Sequence, residues 1–298
     1  MSKLKSTKVR ADLFWFSPED GNLKDILVNL SQAAVTNHDE IIDVDHYGRP
    51  HRLEDLVWDA GKKRINGVLY KKRTSRFPAE LAVSGGRALK LSSGNTLGFP
   101  TCFVYCPRNN LLAVQYEHIG ARASCLSAFM PQLECDYAYS IFPVLSLEAA
   151  ERLNSTNIIR RAEYKIERTQ DFNNTNFDGI DLGVRDSVNL LNETGAYSVS
   201  VQVSIGKKSR DEGLGGKVKK SLQKMLDLGE CVSTLKFKGR SDVDEDIETV
   251  DLINDKISTY FQVKEASGRR IDTADCIVKL DRFMDQILPE LRNHPDKP

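Results

Sequence analysis

No stretch of the sequence approaches the roughly 18 consecutive apolar residues of a membrane-spanning helix, the densest runs being short ones such as Leu111 to Val114. A helical membrane span is excluded. The amino-terminal MSKLKSTKVRADLFWF has charges but no apolar run of about seven residues behind them, so no signal peptide is expected and the chain reads as cytoplasmic. The six cysteines, Cys102, Cys106, Cys125, Cys135, Cys231 and Cys276, include no CxxC pair. A zinc site is not expected from them. Cys102 and Cys106 would share one strand face about 13 Å apart, beyond disulfide reach, so the cysteines read as reduced, buried thiols.

Catalytic signatures are missing as well. There is no GxSxG and no HExxH, and His38, His46, His51, His118 and His294 form no ligand spacing. The glycine-rich SIGKKSRDEGLGGKVKKSLQK runs from a strand into a helix, the context in which backbone N–H groups meet phosphate. As a P-loop it fails: Gly216-Lys217 is followed by Val218, and Asp211 stands where the first glycine belongs. No cofactor is called for, and no enzymatic activity is expected. Net charge is lacking too, with 42 basic and 42 acidic residues, so a polyanion must be met by a local patch and not by a global field.

What is present is a globular chain of 298 residues, 40% hydrophobic and 28% charged. Leu13 to Phe16 has strand composition, and Leu23, Ile26, Leu27, Leu30 and Ala33 recur at helical spacing. Two β-rich segments flank Asp59-Ala60-Gly61-Lys62, a hairpin signal in which glycine is expected to take positive φ. Phe99 to Cys106 and Leu111 to Tyr116 form a second strand pair across Pro107-Arg108-Asn109-Asn110, and ARASCLSAFM predicts a short helix behind the Gly120 break.

After Phe142-Pro143-Val144-Leu145 the pattern changes. SLEAAERL reads as a capped helix, NIIRRAEYKIER as an alternating strand, Val184 to Asn192 as a helix and YSVSVQVSI as a strand. A helix over Lys217 to Leu228 and strands near Val232 to Phe237 and Ile257 to Val263 follow. In the last segment Ile277, Leu280, Phe283, Met284, Ile287, Leu288 and Leu291 make an apolar stripe, with Asp272 or Thr273 as cap.

The expected fold class is α+β, with two mixed domains that each pair a mostly antiparallel sheet with packed helices. Residues 1–148 form the first domain, with the basic hairpin. Residues 149–298 form the second, ending in an amphipathic helix that packs on the first domain or on a dimer partner.

Charge is concentrated in two places. From Gly61 to Lys90, Lys62, Lys63, Arg64, Lys71, Lys72, Arg73, Arg76, Arg87 and Lys90 face a single acid, Glu80. Lys207, Lys208, Arg210, Lys217, Lys219, Lys220 and Lys224 surround the glycine-rich loop, against Asp211 and Glu212. Each cluster is either a solvated face, since edge lysines discourage sheet aggregation, or a phosphate-contacting surface. The segment SDVDEDIETVD is acidic, but it lacks the glycine and the twelfth-position glutamate of a calcium loop. It reads as a solvated turn or an acidic docking surface. Asp251 with Gln262-Val263-Lys264, or Glu163-Tyr164-Lys165, fits a magnesium-dependent nuclease only loosely.

Leu97-Gly98-Phe99-Pro100, the strand, turn and strand that follow, and the Ile119-Gly120 break before a small-residue helix together resemble RexA, the phage-exclusion protein family of temperate phage. The early strand and helix, the basic middle and the final helix follow in similar order. The resemblance implies an intracellular homodimer of two α+β domains that binds double-stranded DNA with little sequence preference and works with a membrane-protein partner. It transfers no catalytic residue. Assignment of the two basic clusters to DNA rests on charge alone, and a non-DNA-binding module that signals to a membrane effector is the rival reading.

Overall fold

The computed structural model describes residues 5–18, 42–45, 50–75, 77, 80–82, 85–87, 89, 91–92, 95–117, 119–123, 125–129, 139–168, 177, 179–206, 212–215, 217–228, 231–266 and 270–295. The helix expected over Leu23 to Ala33 lies outside them, as do Arg76, Lys207, Lys208 and Arg210. The chain is α+β, and it divides into two units by contact. The division is not the single cut of 1–148 and 149–298. Residues 258–286 belong to the first unit, while Leu13–Trp15 and Ile287–Pro298 belong with Ile141–Ile257 in the second. Backbone pairing is the cause, because a strand that begins at Ser258 joins the first strand of the chain.

Strands β1 (Ser6–Pro18), β2 (Ile42–Asp45), β3 (Pro50–Asp59), β4 (Arg64–Arg73), β7 (Leu97–Cys106), β8 (Leu111–Tyr116), β14 (Ser258–Ala266) and β15 (Arg270–Ile271) form one antiparallel sheet. Its order is β15-β14-β1-β8-β7-β4-β3-β2, and β9 (Tyr139–Pro143) also pairs with β1. The small β5 (Glu80–Ala82) and β6 (Gly85–Arg87) pair with each other.

The hairpin β3–β4 forms where Asp59 predicts it, its carboxylate Oδ1 accepting from the backbone N–H of Gly61 and Lys62. Positive φ falls on Lys63 (53°) and not on Gly61. The Asx turn supplies the reversal, so the glycine is not the residue that turns left-handed. In the β7–β8 hairpin, Pro107–Asn109 make a 3-10 turn and Asn110 takes φ 51°, as its side chain tolerates. Gly120 is needed for space: a Cβ there would lie 2.5 Å from Thr101 Oγ1, which accepts from Ala121 N.

The short helix α1 (Cys125–Phe129) buries Leu126 and Phe129 in this unit. The last helix, α5 (Thr273–Ile287), is capped by Asp272, whose Oδ1 accepts from Asp275 N at 3.1 Å. Its stripe buries Cys276, Leu280, Phe283 and Met284. Each large apolar side chain so buried contributes about 1.5–3 kcal/mol. The helix runs over β7 and β8: the Cys102 thiol donates to Thr273 O and the Cys276 thiol to Gln115 Oε1.

In the second unit, β11 (Ser198–Ser204), β10 (Ile158–Glu167), β12 (Val232–Arg240) and β13 (Glu248–Asp251) form an antiparallel sheet in that order. Helices α2 (Leu147–Ser155), α3 (Val184–Thr194) and α4 (Val218–Asp227) contribute to its apolar core, with Ala150, Leu153, Val184, Leu191, Leu222 and Met225 beside Tyr164, Leu235 and Phe237. Ser146 caps α2 by accepting from Ala149 N. Strand β10 shows why simple alternation slips by one. A bulge between Ile159 and Arg161 shifts the phase, so Ile159 is buried with Ala162, Tyr164 and Ile166 while Ile158 is only half-buried. Among the described residues no helix is long and apolar enough to cross a membrane, and no closed barrel is formed.

Candidate nucleic-acid interface

The hairpin cations come first. Arg64, whose side chain is 7% exposed, donates to Asp281 Oδ1 at 2.5 Å and reaches Asp285 Oδ1 at 2.6 Å. Lys62 bridges the same two carboxylates, with Nζ 2.9 Å from Asp285 Oδ2. Asp281 and Asp285 are one helical turn apart on α5, so both point at the hairpin end. Hydrogen bonding first to Asp281 and then to Asp285 raises the Lys62 pKa. Burial pulls Arg64 the other way, and the two carboxylates more than offset it.

Most other cations of the hairpin are also committed. Lys72 Nζ is 2.7 Å from Asp43 Oδ2, and Arg52 takes the same carboxylate in a fork at 2.8 and 3.2 Å. Arg73 donates to Ser75 O, and Lys71 is buried at 8% exposure. Lys63 is exposed at the turn. The linear run of cations therefore does not become a surface of free charge.

The second cluster is divided. On α4, Lys219 donates to Asn154 O at 2.8 Å, and burial lowers its pKa. Lys224 donates to Gly179 O at 3.0 Å. Lys217 and Lys220 are exposed. On the open face of the second sheet, Arg161 pairs with Glu163, Lys165 with Glu167 and Lys236 with Asp251, leaving Lys238 exposed beside them.

A different constellation appears in the first unit. The β1–β14 register sets Ser6 opposite Lys264, Lys8 opposite Gln262 and Arg10 opposite Tyr260. These side chains share one sheet face, because directly opposed residues do. Lys8 Nζ lies 4.5 Å from the ring centroid of Tyr260, which is 57% exposed. Arg10 and Arg122 approach the Tyr116 ring at 5.1 and 5.2 Å. Arg10 also holds Asp12 at 2.6 Å, and Arg122 donates to Glu117 O. Lys8, Gln262 and Lys264 are exposed.

The chemistry of this face differs from that of the hairpin. An aromatic ring attracts a cation through its quadrupole and leaves the net charge in place, whereas a carboxylate cancels it. Lys8 and Lys264 thus present positive charge to solvent beside a planar, exposed phenol. Uncancelled lysine charge of this kind tracks phosphates, the sequence-independent part of duplex contact, and the exposed ring holds Lys8 in place. Sequence reading missed the face because its residues come from positions 8–10, 116–122 and 260–264. The signal available was the charged, aromatic alternation of Tyr260-Phe261-Gln262-Val263-Lys264, which does not reveal its partner strand.

Other candidate residues have structural partners. Asp251 accepts from Lys236 and from Asn254 Nδ2 at 2.9 Å each, and it belongs to the second unit whereas Lys264 belongs to the first, so the loose nuclease triplet is not assembled within either one. The turn after β12 is organised by Arg240, which donates to Val243 O and Glu245 O. Among the described residues no group of three or more potential ligands could hold a metal ion. Cys125 Sγ lies 3.5 Å from His51 Nε2, with both residues buried. The other described cysteines are buried as well, and none is in a disulfide.

Comparison with curated proteins finds no match. Residues 5–290 match DUF6731, a family of unknown function, and the chain belongs to that family.

Proposed function

We propose that this protein binds DNA through its phosphate backbone with little sequence preference, and that the Lys8, Arg10, Tyr116, Arg122, Tyr260 and Lys264 face is its principal contact. Lys217, just before α4, and Lys220 on it add a second, smaller patch. The observation that carries the reading is the pairing of cations with aromatic rings on one exposed sheet face, where lysine charge is left uncancelled. The likeness of the central hairpin to the RexA family suggests phage exclusion as the setting, with a membrane-protein effector receiving the signal.

Fluorescence anisotropy with two unrelated duplexes, titrated over salt, tests the proposal. Similar affinities and a steep salt slope are expected, and Lys8→Ala with Lys264→Ala should reduce that slope by about 1.8, since each phosphate contact contributes about 0.9. The same pair should weaken binding on the order of tenfold at low salt. No binding at low salt, or unchanged binding by the double variant, overturns the assignment.

One observation favours the rival reading of a protein-docking module. Ile247 is 50% exposed amid exposed Asp244, Glu245, Asp246 and Glu248, an apolar contact ringed by acids. If duplex binding fails, capture of a basic peptide by this turn is the next measurement, with Ile247→Ser as its control.

A further inference from the structure

Strand β11 ends its sheet: among the described residues its backbone pairs with β10 and with no second strand. Among the described residues, the other edges of the two larger sheets carry protections that keep sheets apart. Edge strand β13 has Glu248 and Asp251, β2 has Asp43 and Asp45, and β15 is two residues long with Arg270. Strand β11, Ser198-Val199-Ser200-Val201-Gln202-Val203-Ser204, has no charge, no proline and no bulge over seven residues.

Its sequence is also nearly the same in both directions. A two-fold axis through Val201 would set Ser198 opposite Ser204, Val199 opposite Val203 and Ser200 opposite Gln202. The alternation extends beyond the strand, where the 67% exposed Tyr197 would meet Ile205. Tyr197, Val199, Val201, Val203 and Ile205 then continue one apolar face, and the serines and Gln202 one polar face. A slip by one residue would oppose valine to serine or Gln202 along the strand and set apolar side chains against polar ones, which the pattern disfavours. Val199 and Val201 are only half covered by their own core, and Leu190 of the preceding helix α3 is 49% exposed.

We propose that β11 is a homodimer interface, in which two copies of this chain pair antiparallel through β11 about Val201 and merge two four-stranded sheets into one of eight. An isologous contact of this kind uses up the edge on both copies and closes the assembly at two. The occupant is a second copy because the edge is complementary to its own reverse and offers no charge for a different partner to read. The inference stands on the second unit and does not depend on DNA binding.

Light scattering and sedimentation of the full chain at micromolar concentration test it. Wild type should show twice its 33.5 kDa mass. Ser200→Lys with Gln202→Lys places lysine opposite lysine at both symmetric pairs and should return the mass to that of one chain. Ser200→Lys with Gln202→Glu places lysine opposite glutamate at the same pairs and should keep the dimer. Ser200→Glu with Gln202→Glu repeats the dissociation with the opposite sign, should the double-lysine chain fold poorly. A wild-type monomer, or a dimer whose mass ignores all three changes, overturns the proposal.

Discussion

The hairpin β3–β4 and the β1–β14 face both belong to the first unit and both carry several cations, yet they present opposite surfaces. Hairpin cations meet carboxylates from α5 and β2, which cancel their charge and tie the elements together. On the β1–β14 face Lys8 meets a tyrosine ring, which orients it and leaves its charge standing, while Arg10 divides itself between the Tyr116 ring and Asp12. What decides between a structural cation and a binding one is therefore the neighbour, not the density of lysine along the chain.

The comparison breaks most directly at Arg64. If the hairpin cations are structural, Arg64→Ala leaves Asp281 without its buried partner and should lower unfolding free energy by about 3 kcal/mol. The urea midpoint reads this change, and an unaltered midpoint would mean that the apolar stripe alone holds α5. A smaller effect is expected at Asp285, where Asp285→Asn gives one cation back to the surface. Duplex affinity should rise about two- to threefold at low salt. A rise larger than the loss from Lys8→Ala with Lys264→Ala would make the hairpin the principal contact and reverse the assignment.

The smallest effect is a pH dependence. Hydrogen bonding from Arg52, with Lys72 behind it, holds the Asp43 carboxyl below its ordinary value. The folded value thus lies below the unfolded one. Its stabilisation is complete above the ordinary carboxylate range and is lost as pH falls through the folded value. Urea midpoints of wild type and Asp43→Asn should therefore differ near neutral pH and converge as pH falls below about 4. A difference that persists in acid would sink the idea that this carboxylate anchors Arg52 and Lys72.

Much of the fold was legible because its signals are local. Asp59 in the first turn, Asn110 in the second, Ser146 at the start of α2 and the Leu280 to Met284 stripe each act within a few residues, and each takes its expected place. The domain cut near residue 148 was not recoverable in that way. Pairing of β1 with β14 joins positions over two hundred residues apart, and no short-range pattern encodes a partner. The site failed for a related reason: the run Lys62 to Arg64 looks like free charge until Asp281 and Asp285 arrive from the other end of the chain. Lys8 looks isolated until Tyr260 stands beneath it.

The pairing of Ser6 with Lys264 also sets an order of events during synthesis. Thr7 and Glu265, which hydrogen-bond to each other, are 258 positions apart, so at ribosomal speed the first strand waits on the order of ten seconds or more for β14, well after β8 and β9 have emerged. The four strands of the second sheet lie between Ile158 and Asp251 and emerge as one contiguous block. The unit made later can thus close before β14 arrives, while the edge of β1 that β14 will take remains open to chaperones on the nascent chain.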